Sequence, residues 1–357
     1  MPNRQNFLSY AECQALKGLA ILGIVLHNFC HFLYNAALEN EFGFSQERTF
    51  RFFDLLTSSW TRAPLNALSF LGHYGVPIFI FCTGYGLVMK YEQSTNPRVT
   101  TRRFILSHYL KLLRLLLPGF VITLAIIALL SHKSLTTWSH FLLQSTLLIN
   151  FHPDAATIIK PGPYWYFGFV MQLYLFYRLL IYRRHWGWMV ASIAVCWFVQ
   201  VIQQPDGVLL EWFRYNFIMG ILPLSMGVYC GRRIKDVSFS VPTWLLIVLV
   251  SFCAVIACNL HFQPWLWSHV FVIIGSVALV KSLWSIAQRP MVWLGALSSS
   301  LFVMHPLARA FTIYPAQNGH AYRWLLAYIA LSLLLAWLYQ RLMHFLTTII
   351  TKHEESI

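Results

Sequence analysis

Histidine is the residue type here best suited to acid–base chemistry, and several of the 14 histidines fall inside strongly apolar runs. Polar side chains are costly there and are functional candidates by default. His27 and His31 are four residues apart with Asn28 between them, so on a helix they share one face. A neutral imidazole at that position can take a proton from a hydroxyl group. The plainer reading is a hydrogen bond to a neighbouring helix; for two histidines on one face beside an asparagine the two readings weigh about equally. His73 opens a second apolar run, directly after Gly72. His305 and Arg309 are again four apart, in LGALSSSLFVMHPLARAF (294–311), where Pro306 frees a nearby backbone carbonyl. None of the 12 acidic residues lies at the centre of an apolar run. Chemistry inside the runs therefore falls to His, Arg, Lys, Tyr, Ser, Thr or backbone groups, and no Ser/His/Asp triad follows. His27 and His31 could offer two metal ligands, but nothing acidic joins them, so no metal is expected. The seven cysteines are scattered, with no CxxC pair, and read as buried thiols.

Other polar groups flank these histidines. Lys17 precedes His27 by ten residues, about 15 Å along a helix. Trp165, Gln172 and Tyr174 stand out in GPYWYFGFVMQLYLFYRLL (162–180). Gly72, Gly75, Gly84 and Gly86 permit close helix packing or a broken helix. Arg98, Arg102, Arg103, Lys111 and Arg114 form a basic cluster. It is either a membrane-side anchor or a dock for phosphates, which arginine clamps bidentately.

These residues must be positioned by membrane helices. The 357-residue chain is 58% hydrophobic and only 11% charged, against about 25% charged in soluble domains. That excludes two soluble domains and a disordered chain. Apolar runs long enough to span a bilayer lie at 15–35, 69–89, 111–130, 163–182, 186–203, 213–231, 242–260, 264–284, 292–313 and 322–345. An even number of spans places both termini on one side. With that side taken as cytoplasmic, 18 of the 26 Lys and Arg residues fall there, as the positive-inside rule expects. The excess of +14 thus reads as orientation, and no nucleic-acid partner is expected. The fold expected is all-α and polytopic, in the plasma (inner) membrane, with both termini cytoplasmic. Residues 46–68 read as an amphipathic surface helix with Phe50, Phe53, Leu56 and Trp60 on one face. Residues 138–150 read as a re-entrant or interfacial segment. The start of the chain does not read as a cleavable signal peptide.

The stretches ALKGLAILGIVLHN (15–28), GHYGVPIFIFCTGYGL (72–87), RRFILSHYLKLLRLLLP (102–118), PYWYFGFVMQLYLFY (163–177) and LGALSSSLFVMHP (294–306) together resemble the membrane acyltransferase-3 family. The resemblance implies one ten-helix transmembrane domain over residues 1–357. It implies transfer of an acyl group, commonly acetyl, from cytoplasmic acyl-CoA (acetyl-CoA) to a hydroxyl of an extracytoplasmic glycan or lipid-linked saccharide. On that reading Arg98, Arg102 and Arg103 hold the donor's phosphates and Lys17 faces its reactive arm. His27 or His31 is the base, with His27 preferred. His73, Trp165, Gln172, Tyr174, His305 and Arg309 bind the acceptor or stabilise the oxyanion. The chain departs from the family pattern in its first helix, where an arginine usually stands eleven residues before the histidine. Here Lys17 stands ten before His27, which turns His27 roughly 80° from the Lys17 face and His31 only about 40°. Val170 and Met171 also occupy places where the family often has acids before Gln172. A transporter or flippase for a glycolipid or small solute is the rival reading. Inverted repeats would favour it, and none is evident.

Overall fold

The computed structural model describes residues 6–94, 98–131, 136–235 and 237–355. Arg4 and Lys133, both used in the charge split above, lie outside them. Sixteen helices follow in order. The first five are α1 (Tyr10–Cys30), α2 (Gln46–Ser58), α3 (Ala63–Leu71), α4 (Gly75–Tyr91) and α5 (Thr101–Ser131). Next come α6 (Trp138–Ser145), α7 (Ala155–Ile158), α8 (Trp165–Phe176), α9 (Gly187–Val201), α10 (Val208–Tyr215) and α11 (Phe217–Arg233). The last are α12 (Val241–Cys258), α13 (Phe262–Trp265), α14 (Ser268–Ser282), α15 (Trp284–Gln317) and α16 (Ala321–Glu355). Among the described residues there is no β-strand, only an isolated bridge between Asn6 and Lys235.

The all-α membrane architecture is as expected. Among the described residues, six helical stretches are long and apolar enough to cross a bilayer: α1, α3–α4 as one unit, α5, α12, α15 and α16. The other four expected spans fall on α8, α9, α11 and α14, which are 12, 15, 17 and 15 residues long. α8 continues at both ends, through a 3₁₀ turn (Gly162–Tyr164) and a π-helical turn (Tyr177–Ile181), so its helical run covers 162–181.

One segment assignment changes. Residues 46–68 are not one helix: the chain breaks between Ser58 and Ala63, and Pro64 sits in the first turn of α3, where its missing N–H costs nothing. The buried face of α2 is Thr49 and Phe52, with Phe52 stacked on Phe70 at 4.2 Å, while Trp60 is 84% exposed. Residues 138–150 form only the eight-residue α6 and a 3₁₀ turn at Ile149–Phe151, too short to cross.

α1 is the central element. Its start is set by a capping box, in which the Ser9 hydroxyl accepts from the Glu12 N–H and Glu12 accepts from the Ser9 N–H. It packs between α15 and the α3–α4 unit, and glycines allow the approach. A Cβ on Gly72 would stand 2.6 Å from both the Gly23 carbonyl oxygen and His27 Cβ. Near the prolines of α5 and α15, tyrosines from other segments donate to helix carbonyls. Tyr339 donates to Leu115 O (2.6 Å) near Pro118, and Tyr164 donates to Val303 O (2.7 Å) near Pro306.

These contacts predict opposite outcomes for two glycine substitutions. Gly72→Ala should push α3–α4 off α1 and cost about 1–3 kcal/mol, lowering the thermal midpoint of the detergent-solubilised protein. Gly86→Ala, with nothing within 4 Å of the added methyl, should be neutral or raise it, because alanine favours the helix.

Candidate functional site

A cavity of about 530 Å³ opens where α1 ends. His27 and His31 both line it, with His73, Glu39, Trp165 and Arg309. Their different angles from the Lys17 face on an ideal helix, roughly 80° for His27 and about 40° for His31, therefore do not choose between them. The ring centroids of His27 and His31 are 5.3 Å apart, and those of His27 and His73 are 5.8 Å apart.

His27 is buried at 6% exposure, and its orientation is set by α3. Ser69 lies in the last turn of α3, where carbonyls run out of helical partners. The His27 Nδ1–H donates to that carbonyl at 2.7 Å. This fixes the neutral tautomer, leaving Nε2 with the lone pair. Nε2 stands 4.0 Å from Glu39 Oε1, and His31 Nδ1 donates to Glu39 Oε2 at 2.6 Å.

Glu39 corrects the sequence reading. No carboxylate was expected beside the histidines, because none lies in their spans. The loop after α1 folds back and delivers one. Side chains from distant segments grip its backbone carbonyls: Ser69 Oγ on Ala37 O (2.6 Å), Trp265 Nε1 on Asn40 O (3.0 Å) and Arg214 Nε on Glu41 O (2.6 Å). Burial alone would raise the Glu39 carboxyl, but the His27 and His31 imidazoles hold its pKa down at about 2. Glu41 goes the other way: burial and the Glu39 charge push it well above the ordinary range, against the pull of Arg214.

His27, His31 and Glu39 each place a donor atom within 4.8 Å of the others, a set that could hold a cation. Ligands ~2.1 Å from a zinc ion stand roughly 3.4 Å apart in a tetrahedron. The 2.6 Å between His31 and Glu39 is instead the length of a charge-assisted hydrogen bond.

Arg309 donates to Asn28 through both Asn28 O (3.2 Å) and Oδ1 (3.0 Å), and its guanidinium lies 4.0 Å from the Phe32 ring centroid. His305 is fully buried behind the wall, with Nδ1 donating to Leu301 O (3.0 Å) and no partner on Nε2. Trp165, at the start of α8, meets Phe42 and Tyr215 edge-on, and those two rings stack at 4.1 Å. This aromatic wall was not anticipated, because it assembles from three separate segments.

The remaining predicted residues lie elsewhere. Gln172 does not line the cavity; its amide donates to Asn216 Oδ1 (2.9 Å) and accepts from Phe217 N (3.0 Å), locking the junction of α10 and α11. Tyr174 lies toward the opposite end of α8, with its ring 4.3 Å from that of His108. Lys17 is at that end too. It and Lys90 act electrostatically on Lys111, and Lys90 and Lys111 act on His108. Arg98, Arg102 and Arg103 are exposed around the start of α5.

The carboxylate's state gives a testable pH dependence. Glu39 lies below its ordinary value when folded, so its stabilisation is present above about pH 4.5 and is lost as pH falls toward 2. Glu39→Gln should cost about 2 kcal/mol at pH 6. The gap from wild type in thermal midpoint should close on acidification.

No curated protein and no solved structure matches the chain. The model of the acyltransferase-3 "Acyltransferase domain" matches residues 10–341, nearly the whole chain and every element of the site described above. The chain therefore belongs to the acyltransferase-3 family of membrane acyltransferases.

Proposed function

We propose that this acyltransferase moves an acetyl or similar acyl group from acyl-CoA on the cytoplasmic side to a hydroxyl of a saccharide in the cavity. The observation that carries this reading is His27, with Nδ1 pinned to Ser69 O and Nε2 beside Glu39. The cavity suits a sugar. Its Trp165, Phe42 and Tyr215 wall offers ring faces and edges. The Glu41 carboxyl, pushed up by burial, and the Asn28 amide offer hydrogen-bond partners. Both termini lie in the cytoplasm of a cell whose plasma (inner) membrane holds the protein, since the basic residues concentrate at the end away from the cavity.

The acceptor hydroxyl gives its proton to His27 Nε2 as its oxygen attacks the thioester carbonyl. The resulting imidazolium is stabilised by the Glu39 carboxylate. The tetrahedral oxyanion is met by Arg309. Collapse breaks the carbon–sulfur bond, and the CoA thiolate leaves with the proton returned from His27. His31, held by Glu39, positions that carboxylate and is the alternative base. His73 and His305 pack the acceptor side, and Trp165 stacks the sugar. Gln172 and Tyr174 act through the helices they brace. Acyl-CoA enters from the opposite end, its phosphates drawn by Arg98, Arg102 and Arg103 and its arm passing Lys17.

His27→Ala should cut transfer from labelled acetyl-CoA to surface glycan at least 100-fold while expression holds. Loss in His31→Ala with His27→Ala active would move the base to His31. Unchanged label in both variants would overturn the reading. Glycan export lost, with no label in the wild type, would select transport.

A further inference from the structure

A second cavity, of about 910 Å³, lies between the end of α8, α9 and the end of α11. It shares no lining residue with the histidine cavity, and none of Lys17, Lys90, Lys111 or His108 lines it. A donor travelling past Lys17 to His27 would not pass through it.

Its chemistry is divided. Arg183, Arg184 and Arg233 line one part, all exposed, and Arg183 holds a left-handed backbone at φ 54°. Such a backbone is unfavourable for a non-glycine residue, so the turn is held by its surroundings. Glu92, the one carboxylate in the lining, is already committed: Arg232 donates to it through Nε (2.7 Å) and Nη2 (2.8 Å), and the Tyr177 hydroxyl donates at 2.7 Å. The other part is apolar, lined by Met189, Ile193 and Met226. Ser225, 3% exposed, lines the cavity with no hydrogen-bond partner on its hydroxyl. Trp186 and Tyr229 stand half-exposed at the cavity, as aromatics do at a membrane–water boundary. α9 leaves Trp188, Val190, Val195 and Phe198 exposed alongside, so the neighbouring medium is lipid.

We infer that this groove binds an anionic phospholipid, with its phosphate among Arg183, Arg184 and Arg233 and its acyl chains along Met189, Ile193 and Met226. Basic pockets between transmembrane helices recognise such headgroups by charge, and here the charge and the apolar slot are adjoining. Arg232 and Glu92 form the rigid floor rather than the ligand contact. The inference stands apart from the acyl-transfer reading, because its test reads no acylation.

The purified protein in detergent is titrated with phosphatidylglycerol or phosphatidylcholine and followed by native mass spectrometry and thermal midpoint. The expected result is retention of phosphatidylglycerol over phosphatidylcholine, with a raised midpoint. R184Q/R233Q should weaken it roughly 10- to 30-fold, since each surface arginine contributes on the order of one unit of tenfold binding or less. Lys235→Gln, exposed and outside the lining, should leave it unchanged. Both double-variant positions are exposed, so gel-filtration behaviour should match the wild type. Equal retention of the two lipids, or full retention by R184Q/R233Q, would overturn the inference. So would displacement of phosphatidylglycerol by coenzyme A, lost in R184Q/R233Q, which would make the groove a donor dock.

Discussion

Ser69 ties His27 to the loop that carries Glu39. Its carbonyl accepts the His27 Nδ1–H at 2.7 Å, and its hydroxyl donates to Ala37 O at 2.6 Å. Ala37 stands two residues before Glu39. A fully buried serine thus sets the ring orientation of His27 and the approach of the carboxylate facing it. The neighbouring Asn66 adds a bond, accepting from the Ala37 N–H at 3.2 Å. α3 is therefore a template: one turn of helix end, with spare acceptors, fixes two groups that lie on opposite sides of a connection in the chain.

The rest of the bundle sustains that arrangement. α3 stays on α1 because Gly23 and Gly72 let the backbones approach. The loop from His31 to Ser45 would be costly to bury with open carbonyls. Asn40 closes part of that account by donating to Thr49 Oγ1 (3.1 Å) and accepting from Ser45 N (3.0 Å). Arg214 serves twice, donating to Glu41 O and, at 3.2 Å, to Gln200 Oε1, while its guanidinium lies 4.1 Å from the Trp265 ring centroid. Loop and helices are one hydrogen-bonded unit, within which burial and the Glu39 charge push the Glu41 carboxyl up while His27 and His31 hold Glu39 down.

Much of the helical plan was legible because apolar runs and cap signals are local. The Ser9–Glu12 capping box and the alignment of His27 with His31 can be read from neighbouring residues. So could the placing of Arg309 near the same end. Glu39 could not be read that way. It lies in a polar connection, and only its contact with a ring eight residues earlier gives it a role. Trp165, Phe42 and Tyr215 meet for the same long-range reason. Gln172 misled in the opposite direction: a polar residue inside an apolar run suggested ligand contact, whereas its partners are Asn216 and Phe217 at a helix junction. The helix break at 59–62 was hidden because hydrophobic spacing continued across it.

The depth of the histidines has a consequence for the membrane itself. From Lys17 to His27 the rise is only about 15 Å, roughly half the ~30 Å of a hydrocarbon core. The polar cavity reaches down to His27 and Trp165. Below its floor, packed side chains along about three turns of α1 stand in for a full thickness of lipid.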